Sequence, residues 1–390
     1  MTSRRHVLQW LAAAPVLSAC GGNDLPDPLA PWRDPGAGET DPRRFALAHA
    51  ILAPNPHNTQ PWLVEMRGDD EMLLFCDLDR RLPFTDPYDR QITIGCGAFT
   101  YLCWMAVLKS GHGCEMSIFP DGAPEPGARL DARPFARLRV AGSPPLHGAD
   151  PLMEFVSVRR TNRNECEPVI PSATAIDTVA SAGVAWLEPS PDEPTPLSVA
   201  WETEQTRVAT LRDLVWRAFD REMRTRGAQE ETYRWLRFGS EERARHRDGL
   251  YIDVPAAGLL RAIGMLDEAD LLNPDSSANK QAAADWRRKV DTAPMFMWLT
   301  TPSDSARSRL HAGMAYVRMN LAAAQANLAM HPWSQALQEY TEMSDLYAEA
   351  RDKLAAGDRT LQMLFRLGRA APAEPAARRS LDALLRPVSP

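Results

Sequence analysis

Residues 51–62 read I-L-A-P-N-P-H-N-T-Q-P-W, a dense turn between two well-signalled elements. Upstream, Asp41-Pro42 has the form of an N-cap followed by Pro at the first helical position, and Phe45, Ala48 and Leu52 fall at helical spacing. Pro54 and Pro56 lack the N–H a helix needs and restrict the residues before them, so this helix stops by Ala53. Downstream, Trp62, Val64 and Met66 alternate with Leu63, Glu65 and Arg67, the period of a strand. The loop between presents many amide and carbonyl groups. Either it holds a flat polar ligand, or Asn55, Asn58, Thr59 and Gln60 only satisfy one another and the turn backbone.

Working outward, the pattern predicts strands at 62–67 and 71–77, then a polar connection from Arg80 to Tyr88. Gly95-Cys96-Gly97 introduces a helix, 98–109, that is apolar almost all round and therefore belongs at the centre of the fold. The two glycines are better explained by close backbone packing than by a phosphate loop, because G-x-G lacks a further Gly. Strands at 114–119 and 134–140 complete this half.

Asp150-Pro151 repeats the cap-plus-Pro start and leads into Arg159-Arg160-Thr161-Asn162-Arg163. Three arginines and a hydroxyl in five residues are suited to a phosphate dianion, since guanidinium forks match its oxygens and keep their charge. The bland alternative is a solvated basic turn. A second pair, Arg378-Arg379, favours the phosphate reading, with one anion gripped from two distant segments. Between them the pattern predicts a long helix over 198–225 with Val208, Leu211, Val215 and Phe219 on one face. A highly charged segment at 226–258 carries Tyr233, Trp235, Leu236, Phe238 and Tyr251, which fits a lid or an amphipathic surface helix. Residues 294–300 read as a buried strand. Leu310, Met314, Val317, Leu321 and Leu328 trace a second core helix, ended by His331-Pro332-Trp333, and 361–367 is a last strand.

The chain of 390 residues is 44% hydrophobic and 24% charged, room for one large or two modest domains. A formal charge of −7 argues against nucleic acid as partner. Cys76, Cys96, Cys103, Cys114 and Cys166 form no C-x-x-C and read as buried small hydrophobes, with one disulfide allowed outside the cytoplasm. Eight scattered histidines give no metal-ligand spacing. At the amino terminus, Ser3-Arg4-Arg5-His6-Val7-Leu8 resembles a twin-arginine export signal, and Leu17-Ser18-Ala19-Cys20 resembles a lipobox. These imply a signal at 1–20, lipidation of Cys20, and an exported protein of the cell envelope or periplasm, held to a membrane through its lipid. Gly21 to Thr40, rich in Pro, Gly and Asp, reads as a flexible tether.

Four motifs in order resemble the nitroreductase superfamily, and in particular its Acg-like FMN-binding oxidoreductase branch. They are A-P-N-P-H-N-T-Q-P-W at 53–62, R-R-T-N-R at 159–163, L-A-M-H-P-W-S-Q at 328–335, and L-Q-M-L-F-R-L-G-R at 361–369 followed by R-R-S at 378–380. The resemblance implies an α+β fold of two fused halves, 41–150 and 151–390, forming an internal pseudo-dimer and hence a monomer. It implies FMN as cofactor, with a small-molecule electron donor and acceptor used in ping-pong fashion. By the same resemblance Arg159, Arg160, Thr161, Arg163, Arg378 and Arg379 bind the phosphate. Asn55, Asn58 and Gln60 lie near the ribityl chain or ring edge, and Met330, His331 and Pro332 offer backbone groups toward the reactive flavin nitrogen. No side chain is an acid–base catalyst, because the flavin carries the chemistry. Asn55-Pro56 departs from the family's small hydroxyl residues. Scarcity of NAD(P)H outside the cytoplasm leaves open a protein that holds or sequesters FMN without turnover.

Overall fold

The computed structural model describes residues 25–142, 148–185, 197–254, 260, 268–354 and 357–388. Cys20 and the expected signal at 1–20 lie outside them, as does part of the 226–258 segment. Two four-stranded antiparallel sheets and the helices between them make an α+β fold. In the first half, α1 (Pro42–Ala50) leads through the turn to β1 (Trp62–Arg67) and β2 (Glu71–Cys76). The long α2 (Arg90–Lys109) follows, then β3 (Gly113–Ile118) and β4 (Ala136–Ala141). In the second half α3 (Ala173–Val184) precedes β5 (Ser198–Glu202). An insertion then holds α4 (Gln205–Arg224), α5 (Arg226–Arg234), β6 (Leu236–Phe238), α6 (Gly239–His246), β7 (Leu250–Ile252) and α7 (Ser277–Asp291). After it come β8 (Phe296–Thr301), α8 (Ala306–Gln325), β9 (Ala329–Pro332), α9 (Ser344–Leu354) and β10 (Thr360–Gly368).

The strand orders are β1-β2-β4-β3 and β5-β8-β10-β9. Each half is thus helix, strand, strand, twenty-residue helix, strand, strand, with the last strand inserted third in the sheet. This repeated topology is the internal pseudo-dimer that the sequence leads one to expect. Its axis runs between α2 and α8, which pack on each other while α1 lies on α2 and α3 on α8. The spacing that separates Arg90 from Ala306 also separates Ile94 from Leu310 and Gly97 from Gly313. A Cβ on Gly97 would sit 2.0 Å from the Leu310 carbonyl oxygen, and one on Gly313 would sit 1.9 Å from that of Ile94. Each glycine therefore admits the other helix's backbone, reciprocally, and close packing is what these glycines serve. Trp62, stacked on Phe99 at 4.6 Å, ties β1 to this helix pair, a contact worth about 0.5–1.5 kcal/mol beyond its area.

Several elements depart from the sequence reading for local reasons. Helix α2 starts at Arg90, not Ala98, because the Asp86 carboxylate accepts from the Gln91 and Ile92 N–H groups at 3.1 and 2.9 Å and caps it there. Residues 198–202 are strand rather than helix: they add an edge to β8, and Glu204 caps α4 by accepting from Thr206 and Arg207 N–H. Helix α8 ends at Gln325 because Asn327 takes a left-handed φ of 55°, so Leu328 lies beyond it. The largest departure is the expected tether. Residues 25–40 fold back on the domain, where Trp32 is 5% exposed and its indole N–H donates to the Ala376 carbonyl at 2.7 Å. The five cysteines between 76 and 166 are all free.

Candidate functional site

The 51–62 turn is pinned by long-range bonds. His57, Asn58 and Gln60 adopt left-handed φ of 48°, 53° and 54°, a strained set for non-glycine residues that the surroundings must hold in place. Asn55 serves the turn itself, its amide oxygen accepting from Gln60 N–H at 2.8 Å and its amide donating to Ala53. Asn58 and Gln60 reach outward. The Asn58 amide donates to the Gly249 and Ala377 carbonyls at 3.1 and 3.0 Å and accepts from Arg378 at 2.6 Å. The Gln60 side chain donates to the Arg247 carbonyl and accepts from Arg379 N–H, both at 2.9 Å. The turn thus joins the insertion to the carboxy-terminal segment.

Beneath it lies a cavity of about 560 Å³, of the size that small-molecule and cofactor sites occupy. One end is cationic. Arg159 is 2% exposed and donates to Asn320 Oδ1 at 2.8 Å and the Leu52 carbonyl at 2.7 Å, leaving its Nε–H without a partner. Arg378 is 3% exposed, donates to the Leu52 and Ala53 carbonyls, and also leaves Nε–H unpartnered. Arg160 bonds to its own backbone neighbours, the Ser157 and Arg159 carbonyls. Trp32 stands among the three, its ring centre 4.4 Å from Arg160, 5.0 Å from Arg378 and 5.6 Å from Arg159. Arg163 is exposed where it opens into the cavity, and among the described residues its guanidinium has no hydrogen-bond or ion-pair partner.

No ion pair among the described residues involves Arg159, Arg160, Arg163 or Arg378. Burial pushes Arg159 down to about 10, with Arg160 adding repulsion. Burial also lowers Arg163, with Arg366 beside it, and lowers Arg378 well below the usual range, with Arg159 and Arg160 beside it. Burial likewise drives His331 far down, reinforced by Arg366, Arg163 and Lys289, so its ring is neutral. The cluster sets two buried guanidinium groups, Arg159 and Arg378, beside the half-buried Arg160 and the cavity-exposed Arg163, with no negative charge to balance them among the described residues. An anion with several acceptor oxygens would relieve every one of these strains.

Of the residues singled out from sequence, Asn55, Asn58, Arg159, Arg160, Thr161, Arg163, His331, Pro332 and Arg378 line the cavity. Gln60, Met330 and Arg379 do not. Gln60 is fully buried in the bonds given above, and Met330 is buried with its carbonyl accepting from Asn162 N–H at 3.1 Å. Arg379 turns the other way, 3.8 Å from Asp77. Sequence reading missed Trp32, Tyr316, Glu222, Trp286 and Gln338, which also face the cavity, as does Gln335 at the end of the 328–335 motif. A lone tryptophan in a Pro/Gly-rich stretch was a usable signal for Trp32; the others lie on ordinary helical or loop patterns. The cavity walls fit FMN on their own chemistry: unpaired guanidinium N–H groups for a phosphate, and apolar and amide surface for a flat ring.

No family model matches the chain. Matches to curated relatives each cover about a fifth of the chain. The chain is 35% identical over 78 residues to a candidate NAD(P)H nitroreductase of Mycobacterium tuberculosis, and 35% identical over 82 residues to that organism's candidate NAD(P)H nitroreductase Acg. The matches span only 22% and 24% of those relatives. Among solved structures, an FMN-bound nitroreductase of Bacteroides fragilis aligns with 60% of this chain and 95% of its own at 11% identity and a TM-score of 0.35. The FMN-dependent nitroreductase NfnB of Mycobacterium smegmatis, solved with NADPH, aligns with 56% of this chain and 86% of its own at 22% identity and a TM-score of 0.34.

Proposed function

We propose that this chain is an FMN-dependent oxidoreductase of nitroreductase type that passes electrons by a ping-pong route to a small-molecule acceptor. The observation that carries the reading is the arginine cluster, which has no carboxylate partner among the described residues and opens on a cavity of cofactor size. Arg159, Arg163 and Arg378 would hold the phosphate with the Thr161 hydroxyl beside them, and Asn55, Asn58, His331 and Pro332 would flank the rest. Bound FMN would supply reversible hydride chemistry, while the chain binds it, orients it and excludes water. The similarity to candidate nitroreductases over a fifth of the chain supports the same reading.

The test is the visible spectrum of the purified domain and identification of what heat releases. A two-band yellow spectrum with released FMN is expected. A colourless protein that also refuses added FMN refutes the proposal. Arg163→Met should weaken FMN binding by ten-fold or more, since a charge-assisted hydrogen bond is worth about 1.5–3 kcal/mol.

A second reading, FMN held without turnover, is favoured by one observation. The insertion is clasped to the turn through Asn58, whose carbonyl accepts from Gly249 N–H while its amide donates back to Gly249 O, both at 3.1 Å. Repeated reduction by an external donor and reoxidation by an acceptor would exclude it. We also propose export and lipid anchoring through Cys20, supported by the motifs at residues 3–8 and 17–20. Cys20→Ala should release the protein from membranes. The paired halves support a monomer, which sedimentation would test.

A further inference from the structure

Asn58 and Gln60 spend both ends of their side-chain amides on protein partners, whereas His57, between them and the prolines of the same turn, spends one ring nitrogen of two. Its Nε2 lies 3.2 Å from the Thr232 hydroxyl of α5. Its Nδ1 has no partner among the described residues and, unlike the sealed Nδ1 of His331, keeps accessible surface. The half-buried ring lines the cavity, so the cavity is what Nδ1 can reach. Among the described residues the Thr232 hydroxyl has no other acceptor. Donating to Nε2 satisfies that hydroxyl, and the single proton of a neutral imidazole then sits on Nδ1, which becomes a donor. Burial and then the charge of Arg163 keep the ring neutral. Arg163 opens on the same cavity and has no partner either. Two donors beside each other, both accessible and both without an acceptor in the chain, are matched by an oxygen-bearing group of a ligand. The left-handed φ of 48° at His57 is the kind of backbone strain that persists where it positions a functional side chain.

We propose that His57 is a ligand-binding residue of the cavity, its Nδ1–H donating to the oxygen-bearing group that Arg163 also contacts, and that Thr232 is its positioning residue. In FMN that group is the phosphate or a ring carbonyl; both accept from converging donors. The identity of the ligand rests on the flavin reading, whereas the donor pair does not. Because Thr232 belongs to the insertion, the donor is set only while the insertion is docked on the turn.

Proton–nitrogen correlation spectra of the full chain carrying labelled histidine, at neutral pH, report which ring nitrogen of His57 is protonated. A protonated Nδ1 whose signal moves when ligand is added is expected, assigned by its absence in His57→Asn; a protonated Nε2 overturns the proposal. Calorimetric titration with FMN, riboflavin and inorganic phosphate, after dialysing out any bound cofactor, then locates the oxygen. His57→Asn tolerates the left-handed φ but falls short of the ring's reach, and should weaken FMN about 3–10-fold; Thr232→Val should weaken it less. Losses for FMN and phosphate but not for riboflavin assign the oxygen to the phosphate, and equal losses for the two flavins assign it to the ring. Binding of phosphate without flavin, with the same loss in His57→Asn, refutes the flavin reading and upholds the role of His57. Unchanged affinity for every probe in both variants, or no binding of any probe, overturns the proposal.

Discussion

Substituting Gly313 by Ala in α8 sets two effects of opposite sign against each other. Alanine in a helix interior is favoured over glycine by about 1 kcal/mol, so on propensity alone the variant is more stable. The new Cβ, however, would lie 1.9 Å from the Ile94 carbonyl oxygen, 2.7 Å from its carbon and 3.0 Å from Ala98 N. All three are backbone atoms of α2, so no side chain can swing aside. Reaching an ordinary contact of 3.4 Å requires the helices to part by roughly 1.5 Å. Overpacking of this kind costs about 3 kcal/mol, leaving a net loss of about 2 kcal/mol and a fall in melting midpoint of roughly 2–3 °C for a chain of this length. Ile94 and Tyr316, on the two helices, line the cavity, so ligand binding there should weaken in parallel. Thermal and urea unfolding of Gly313→Ala, with Gly97→Ala as its pseudo-symmetric partner, gives the answer. Equal losses in the two are expected. A variant more stable than the parent would refute the reciprocal helix contact.

Trp32→Ala should cost about 3–4 kcal/mol, as large-to-small core changes do, and should loosen anion binding by releasing three arginines; unchanged urea midpoints would show the 25–40 segment to be dispensable. Glu231 accepts from Phe84 N–H, Thr85 N–H and the Thr85 hydroxyl at 2.8, 2.9 and 2.5 Å, so Glu231→Ala should lose about 3 kcal/mol by orphaning buried donors, measured by denaturant unfolding. His57 titrates in the folded state near pH 4, pushed down from 6.5 by burial and then by Arg163. The unfolded chain therefore binds more protons between those values, and stability present above pH 6.5 is lost as pH falls toward 4. The loss is about 3 kcal/mol, and His57→Asn, which also tolerates the left-handed φ, should remove that part of the acid slope.

The sequence by itself determined the local elements and the chemistry of the loaded stretches. Asp41-Pro42 started α1, Pro54 and Pro56 ended it, and the alternation from Trp62 set β1, because capping, missing N–H groups and side-chain period act over a few residues. The glycines at 95 and 97 announced a close approach, yet not to what. Gly95 abuts Asn55 and Pro56 of the turn, while the partner of Gly97, the Leu310 backbone, lies more than two hundred residues away, and only the paired halves bring it there. Tertiary structure alone decided that Arg378 turns into the cavity while its neighbour Arg379 turns toward Asp77, and that Gln60 spends its amide on Arg247 and Arg379 rather than on the cavity. Adjacent residues in extended or turn backbone point to different sides, and which side is inside depends on what packs there. The same reason hid Trp32 and Gln338: a side chain becomes part of a site by what surrounds it, and surroundings assembled from distant segments leave no mark at the residue itself.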